Sequence, residues 1–319
     1  MDMSDATALT QPDDKLLVYL KLTAVSVIWG GTFVAGRYLS AGVPPLASAG
    51  LRFLLASLTL VLVLTVTKRL FVKLSVRQVI HLFWLGFFGI FTYNLCFFYG
   101  LHLISASQAS LIVALNPAMI ALTTFFVDRE RLGLLKIGGI VACIFGAATV
   151  IVSKDAAVLE TAGSNWLGNL VIFGCVVSWV IYSVFSRPLV REIGPLHTVT
   201  FSVLCGTVLL LCTAIGTGEL NWTVVAGLTK AQFFSLAYLG VIGSALAYLW
   251  YYDGIKRIGA TQSGVFIALN PVSAVLLGVV VLGEQLTPLM VFGGCLVLLG
   301  IYYCNKPPKT VSLGVSRTA

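Results

Sequence analysis

The sequence predicts an all-α integral membrane protein, ten transmembrane helices built as two inverted five-helix repeats. Three observations lead there. Apolar residues make up 58% of the 319-residue chain and charged residues only 10%, where a soluble domain carries about 25% charged residues. The mean hydropathy of +0.99 leaves too little polar surface to cover a water-soluble globule. A long motif also recurs across the chain at a fixed offset, with the loop charges exchanged between the copies.

The helices follow from run length, since crossing the hydrocarbon core takes about 20 mainly apolar residues. Residues 1–16 are polar and acidic (Asp2, Asp5, Asp13, Asp14) and read as a cytoplasmic tail. No small-residue cleavage pattern follows the first long apolar run, so it is expected to be an uncleaved helix and not a signal peptide. Apolar runs cover 17–39, 45–67, 79–102, 105–127 and 132–153, then, after the polar stretch Lys154–Asn165, 166–187, 196–216, 232–254, 260–282 and 287–304. The expected units are therefore 17–153 and 165–304, followed by a second cytoplasmic tail over 305–319. No stretch is long enough for a soluble domain, so the activity is expected within the bilayer.

The repeat is explicit. Gly100–Pro117 reads GLHLISASQASLIVALNP, and 154 residues later Gly254–Pro271 reads GIKRIGATQSGVFIALNP. The register carries Gly86 and Gly89 onto Gly240 and Gly243, Glu130 onto Glu284, Leu132 onto Leu286, Gly139 onto Gly293 and Gly146 onto Gly300. Over the first two runs of each half the offset is 150, matching Trp29 with Trp179, Arg37 with Arg187 and Pro45 with Pro195. Five helices per copy is odd, so the second copy enters the membrane upside down. The charges agree. If both termini are cytoplasmic, nearly all loop and tail Lys and Arg fall inside, and the outside loops hold only Lys154 and Lys230, as the positive-inside rule requires. At matched positions Arg129 and Arg131 become Gly283 and Gln285, while His102 and Leu103 become Lys256 and Arg257. Inverted repeats are a common architecture of secondary transporters, with the substrate site near the midplane between the copies.

Several residue sets then resemble the drug/metabolite transporter superfamily, specifically its EamA-type exporters. They are Trp29-Gly-Gly-Thr-Phe33 in the first run, Leu51-Arg52-Phe53 in the second, the Asn-Pro of the fourth and ninth, Gly-Glu-x-Leu-Thr at 283–287, and the Gly-x6-Gly pairs at 139/146 and 293/300. The resemblance spans about residues 17–304. It implies a ten-helix bundle with a central cavity lined mainly by the first, third, fourth, sixth, eighth and ninth runs, and export of amino acids, metabolites or drugs. The first copy departs from the pattern with Arg129-Glu130 where the second has Gly283-Glu284.

Asn116-Pro117 and Asn270-Pro271 fall near the middle of the fourth and ninth runs. Proline removes a backbone N–H and clashes with the carbonyl one turn earlier, so the helix kinks or opens. Carbonyls freed inside a bilayer need protein or water as partners. The Asn amides can serve as those partners or bind a solute. Pro117 and Pro271 are expected to be hinges of alternating access that border the site; the alternative is local helix geometry with Asn as a packing hydrogen bond. Gln108 and Gln262 precede these Asn residues by eight positions, a little over two turns, so each Gln shares a face with its Asn. Lipid is costly for polar groups, which turns both stripes inward, toward substrate or toward interhelical hydrogen bonds.

Aromatic and polar side chains gather in the first, third, sixth and eighth runs. The candidate cavity residues are Trp29, Phe33, Tyr93, Asn94, Tyr99, Trp179, Tyr182, Tyr248 and Tyr251, with Tyr252 beside them, besides Gln108, Asn116, Gln262 and Asn270. Tyr38, Tyr302 and Tyr303 fit interfacial belts instead. A phenol or indole deep in a run needs a hydrogen-bonding partner, and an aromatic cavity suits amino acids with apolar side chains, organic cations or flat metabolites. Arg37 and Arg52, near the outer ends of the first two runs, either snorkel to headgroups or contact an anionic group. Glu130 and Glu284 are placed to cap the helices that follow them, and Asp253 to pair with Lys256 or Arg257 at the membrane boundary. No Asp or Glu falls at mid-span, which favours facilitated diffusion or exchange. Coupling through His102, Asp253 or a sodium site of backbone carbonyls stays open.

Other function classes lack their residues. A membrane enzyme would need a paired acidic site or His-Glu-x-x-His, and the histidines are only His81, His102 and His197. The seven cysteines (96, 143, 175, 205, 212, 295 and 304) lie inside apolar runs without CxxC or Cys/His spacing, so neither metal nor cofactor is expected. The net charge of +8 lies in loops and not along one face, which argues orientation and not nucleic acid. A sensor would add a soluble domain. A channel differs from a carrier in lacking saturation and counterflow. The expected partners are a small-molecule substrate and the lipid bilayer, with the chain a monomer or homodimer. Short loops without organelle signals favour a bacterial inner membrane.

Overall fold

Lipid offers the backbone no hydrogen-bonding partner, so a chain that crosses it must pair its polar groups internally. The computed structural model, which describes residues 12–40, 42–103, 112–129, 133–154, 166–273, 276 and 287–306, does so with helices; among the described residues there is no strand. In chain order these are α1 (Pro12–Ser40), α2 (Pro45–Val66), α3 (Val76–Gly86), α4 (Tyr93–Leu103), α5 (Asn116–Asp128), α6 (Leu134–Lys154), α7 (Trp166–Phe185), α8 (Arg187–Glu192), α9 (Gly194–Gly216), α10 (Trp222–Ala226), α11 (Lys230–Ala237), α12 (Ala247–Ile258), α13 (Ala260–Gly264) and α14 (Pro288–Asn305). Helices occupy all ten predicted runs. Six spans among the described residues are long and apolar enough to cross a membrane: Pro45–Val66, Val76–Gly100, Trp166–Glu192, Gly194–Gly216, Lys230–Ile258 and Pro288–Asn305. The small α10 lies between two of them.

The two copies match in detail. The third span of each is continuous but widens midway into a π segment, Phe87–Thr92 between α3 and α4 and Tyr238–Leu246 between α11 and α12. Each of these spans also starts in a capping box. Ser75 with Gln78 and, 154 residues on, Thr229 with Gln232 satisfy the first N–H groups reciprocally. The helix pairs are those of an inverted repeat: α4 packs on α7 as α12 packs on α1, and α3 packs on α9 as the second π segment packs on α2.

Equivalent residues meet one another where an approximate two-fold axis would pass. Ser57 and Thr207 share a hydrogen bond of 2.9 Å between α2 and α9. Trp29 and Trp179 meet edge to face at 5.3 Å. At the α6–α14 crossing Gly139 faces Gly300 and Gly146 faces Gly293. A Cβ on Gly139 would lie 2.7 Å from the Gly300 carbonyl oxygen, and one on Gly293 would lie 2.7 Å from that of Gly146. In lipid, helix pairing rests on such close backbone approach and not on hydrophobic burial. Gly146→Leu is therefore expected to lower stability by about 1–3 kcal/mol through overpacking, whereas Gly138→Leu, with nothing within 4 Å of its Cβ position, should be nearly neutral. Thermal melts of the two purified variants make the comparison.

Between the spans, one carboxylate works at a helix end. Glu219, after α9, accepts from the Leu46 N–H at 2.9 Å at the start of α2, where a negative charge is favoured by the free N–H groups and the helix dipole. Glu130 and Glu284, expected in this role, lie outside the described residues.

Candidate functional site

The Asn-Pro sequences break their helices. Just ahead of Asn116, in a turn, the Leu115 N–H bonds the Ile112 carbonyl three residues back. In the equivalent place Val265–Ala268 is a 3-10 segment whose following Leu269 N–H bonds the Ile267 and Phe266 carbonyls. The Phe266 carbonyl also accepts from the Ser26 hydroxyl of α1 at 2.7 Å. Asn116 and Asn270 are both buried, and the Oδ1 of each has no hydrogen-bonding partner among the described residues. The broken segments stand near the pair of tryptophans: α5 packs on α7, which carries Trp179, and the 3-10 segment packs on α1, which carries Trp29.

Around that pair the rings of α1, α4, α7 and α12 form one cluster. Trp179 lies 5.6 Å from Tyr248, 5.4 Å from Tyr251, 5.9 Å from Tyr93 and 6.1 Å from Tyr182. Trp29 lies 6.1 Å from Tyr248 and 5.4 Å from Tyr251. Tyr252 closes the far side at 4.9 Å from Tyr182, and Phe53 of α2 joins at 6.3 Å from Tyr248. Most of these contacts are edge-to-face or tilted, the favourable arrangements for quadrupolar rings. The centre is thus closed by packed rings.

The polar atoms within the cluster are unevenly satisfied. The Trp29 indole N–H donates to the Gly243 carbonyl at 3.0 Å, inside the second π segment. Tyr182 shares a 2.7 Å hydrogen bond with Ser202. In contrast, Trp179 Nε1, Ser183 Oγ and the hydroxyls of Tyr251 and Tyr252 are buried and, among the described residues, have no partner beyond one another. These four adjoin one another, with Ser183 and Trp179 beside the Tyr251 hydroxyl and Ser183 beside that of Tyr252. The asymmetry comes from one exchange between the repeats. Thr32 of the first copy sits over Gly243, whereas its counterpart Tyr182 lays its ring on Gly89, and Trp179 finds no acceptor there. A buried polar group left unpaired costs about 1–3 kcal/mol. Four together are what a solute with both donors and acceptors would satisfy.

Of the residues singled out in sequence, the cluster gathers Trp29, Tyr93, Trp179, Tyr182, Tyr248 and Tyr251. Asn94 is buried next to it, its amide donating to Ile90 within the first π segment at 2.6 Å. Tyr99 is 46% exposed and stands apart. Gln262 is partly buried on α13, Gln108 lies outside the described residues, and of Phe33 only the backbone in α1 is described. Tyr252, expected beside the cavity residues, is in the cluster too, whereas Ser183 and Phe53 were not among the cavity candidates. Ser183 is one turn beyond Trp179, a helical spacing that offered a signal. Arg52 turns inward instead of snorkelling to headgroups. Its Nε donates to Ser244 Oγ at 2.9 Å, and Ser244 is at the middle of the span Lys230–Ile258.

At the opposite end of α12 from its π segment, Asp253 accepts from Lys21 of α1 at 3.1 Å and from Arg257 at 3.1 Å. The equivalent places in the other copy, Val171 and Tyr99, carry no charge.

The fold and this centre fit a known family, whose model matches residues 16–152 and again 166–305. The chain belongs to the EamA-like transporter family. It is 29% identical over 286 residues to the uncharacterized transporter YyaM of Bacillus subtilis, covering 90% of this chain and 92% of that one. It is 27% identical over 224 residues to a protein of Streptantibioticus cattleyicolor named a probable terminal-alkyne amino-acid exporter, covering 69% and 71%. One solved crystal structure superposes with a TM-score of 0.74 over 90% of this chain and 96% of that one, at 22% identity, a likeness of fold. This EamA-like chain is accordingly a multi-pass membrane protein and a transporter of the drug/metabolite superfamily.

Proposed function

We propose that the protein exports amino acids with aromatic or other apolar side chains, or closely related small metabolites, by alternating access. The observation that carries this reading is the ring cluster at the junction of the repeats, which encloses polar groups of Trp179, Ser183, Tyr251 and Tyr252 that have no partner beyond one another among the described residues. Rings suit an apolar side chain, and the polar atoms suit an ammonium and carboxylate pair. The amino-acid exporter among the relatives lends support to the same class. Asn116-Pro117 and Asn270-Pro271 serve as hinges, because the helices there already lack regular hydrogen bonding. Both termini face the cytoplasm, a reading that the loop charges support, and the membrane is a bacterial inner one, which the short loops without organelle signals support.

The Lys21–Asp253 pair then closes the cytoplasmic side between α1 and α12. Its side chains are 26% and 22% exposed, and such pairs contribute about 0.2–1 kcal/mol. Asp253→Asn is expected to raise the rate of cytoplasmic opening about two- to five-fold, measured as thiol labelling of an engineered cysteine from that side.

The reading is tested by counterflow in proteoliposomes with a labelled amino acid panel, aromatic members included, with and without a pH gradient. Saturable counterflow of aromatic or branched amino acids is the expected result. Flux confined to sugars, nucleobases or organic cations would replace the cargo, and flux without counterflow would replace the carrier with a channel.

A further inference from the structure

Arg52 presents a cation to the interior of the bundle. It follows Leu51 in α2, seven residues from the start of that helix at Pro45. From there the side chain runs inward, donating from Nε to Ser244 Oγ at 2.9 Å. Its guanidinium lies over the Phe53 ring, 5.1 Å from the centroid, and within electrostatic reach of the Tyr248 and Tyr93 phenols. Phe53 and Tyr93 both touch the ring cluster, Phe53 through Tyr248 and Tyr93 through Trp179. Arg52 thus flanks the same centre as the unpaired groups of Trp179, Ser183, Tyr251 and Tyr252. Among the described residues no carboxylate pairs with it; the acidic Asp253 is held by Lys21 and Arg257.

Charge is expensive inside a membrane, and an intramembrane cation is normally neutralised. Ser244 occupies only Nε, which leaves the two terminal nitrogens of the guanidinium, the pair whose fork matches a carboxylate. The second copy has no such cation: the place equivalent to Arg52 is Ser202, which bonds Tyr182. The charge therefore serves one side of the centre and is not a requirement of the repeat.

We propose that Arg52 is the specificity-determining residue of this site, holding the carboxylate of the transported solute while the aromatic cluster holds its side chain. Ser244 is a positioning residue that fixes the guanidinium. The inference rests on the amino-acid reading above and adds that the carboxylate, rather than the ammonium, is the group selected. Organic cations of the same shape are excluded by like charge.

The test is binding to the purified full-length protein, followed by intrinsic tryptophan fluorescence. Two pairs of probes differ only in the carboxylate: phenylalanine against phenylalaninamide, and 3-phenylpropionate against 3-phenylpropanamide. The wild type is expected to prefer each acid over its amide by at least about tenfold, since losing one partner of a desolvated charge pair weakens binding at least that much. Arg52→Gln should bring both ratios close to one by weakening the acids and, with the like charge removed, improving phenylalaninamide; Arg52→Lys should keep part of the preference, and Ser244→Ala should reduce it without removing it. A thermal melt shows whether the Gln variant is folded, and the Lys variant serves if it is not. Equal binding of acid and amide by the wild type, or an acid preference that survives in Arg52→Gln, overturns the assignment of Arg52 and leaves the amino-acid reading in place. Binding of 3-phenylpropionate without phenylalanine overturns the amino-acid reading but keeps the carboxylate site. No response to any of the four overturns both.

Discussion

Trp179→Ala is expected to abolish counterflow. Trp179 touches Trp29, Tyr93, Tyr182, Tyr248 and Tyr251, so it joins all four of the helices α1, α4, α7 and α12. Its removal empties the centre of the cluster, and the loss of a buried Trp side chain costs about 3–5 kcal/mol in soluble cores. A fall in activity alone would therefore not separate function from folding. Trp179→Phe comes closer to separating them: it retains one ring in place while removing the indole N–H and part of the ring volume. That variant should lose much less thermal stability than Trp179→Ala yet lose counterflow by at least about tenfold, the consequence of one lost hydrogen bond to a desolvated solute. Full counterflow in Trp179→Phe at equal expression would mean that the N–H meets no solute.

The second large effect concerns the broken helices. Asn116→Ala is expected to abolish transport at normal membrane expression, and Asn270→Ala to do the same. Each Asn sits immediately before the proline, its Oδ1 buried and unpaired, beside backbone that already departs from α-helical bonding. If the amides contact solute or stabilise the second conformation, neither variant can complete a cycle. If they merely pack, both should transport at close to the wild-type rate, and the hinge would have to lie elsewhere. Transport assays in proteoliposomes matched for reconstituted protein decide between these outcomes.

The frame of the protein was legible because the membrane imposes it. Run length marks the spans, and the 154-residue offset equates Gly139 with Gly293 and Gly146 with Gly300. That these glycines face each other across one crossing was not legible, because an all-apolar helix does not reveal which face it turns to a neighbour. The π segments were hidden for the same reason: one extra residue per turn leaves no trace where every residue is apolar. Trp29 and Trp179 were legible as a matched pair deep in their runs. Tyr99 shows the limit of reading by run alone. Tyr93 and Phe97, four residues apart, stack at 6.0 Å on the face that meets α7, and Tyr99, two residues further, is turned about 200° away from Phe97. Arg52 shows another limit. Its distance from the helix end permits either snorkelling or an inward reach, and only the position of Ser244 on a different span decides it.

The account's central claim is that the ring cluster opens alternately to the two sides of the membrane. Ser183 lies inside it, fully buried and unpaired, and Ser183→Cys changes it little in size. The most direct measurement is labelling of that cysteine, in a background where the seven native cysteines are replaced, by membrane-impermeant thiol reagents applied to one side at a time. The expected result is slow labelling from each side, with substrate protecting in both cases and the Asp253→Asn substitution accelerating only the cytoplasmic reaction. Labelling from one side alone, or rapid labelling from both that substrate does not slow, would contradict it.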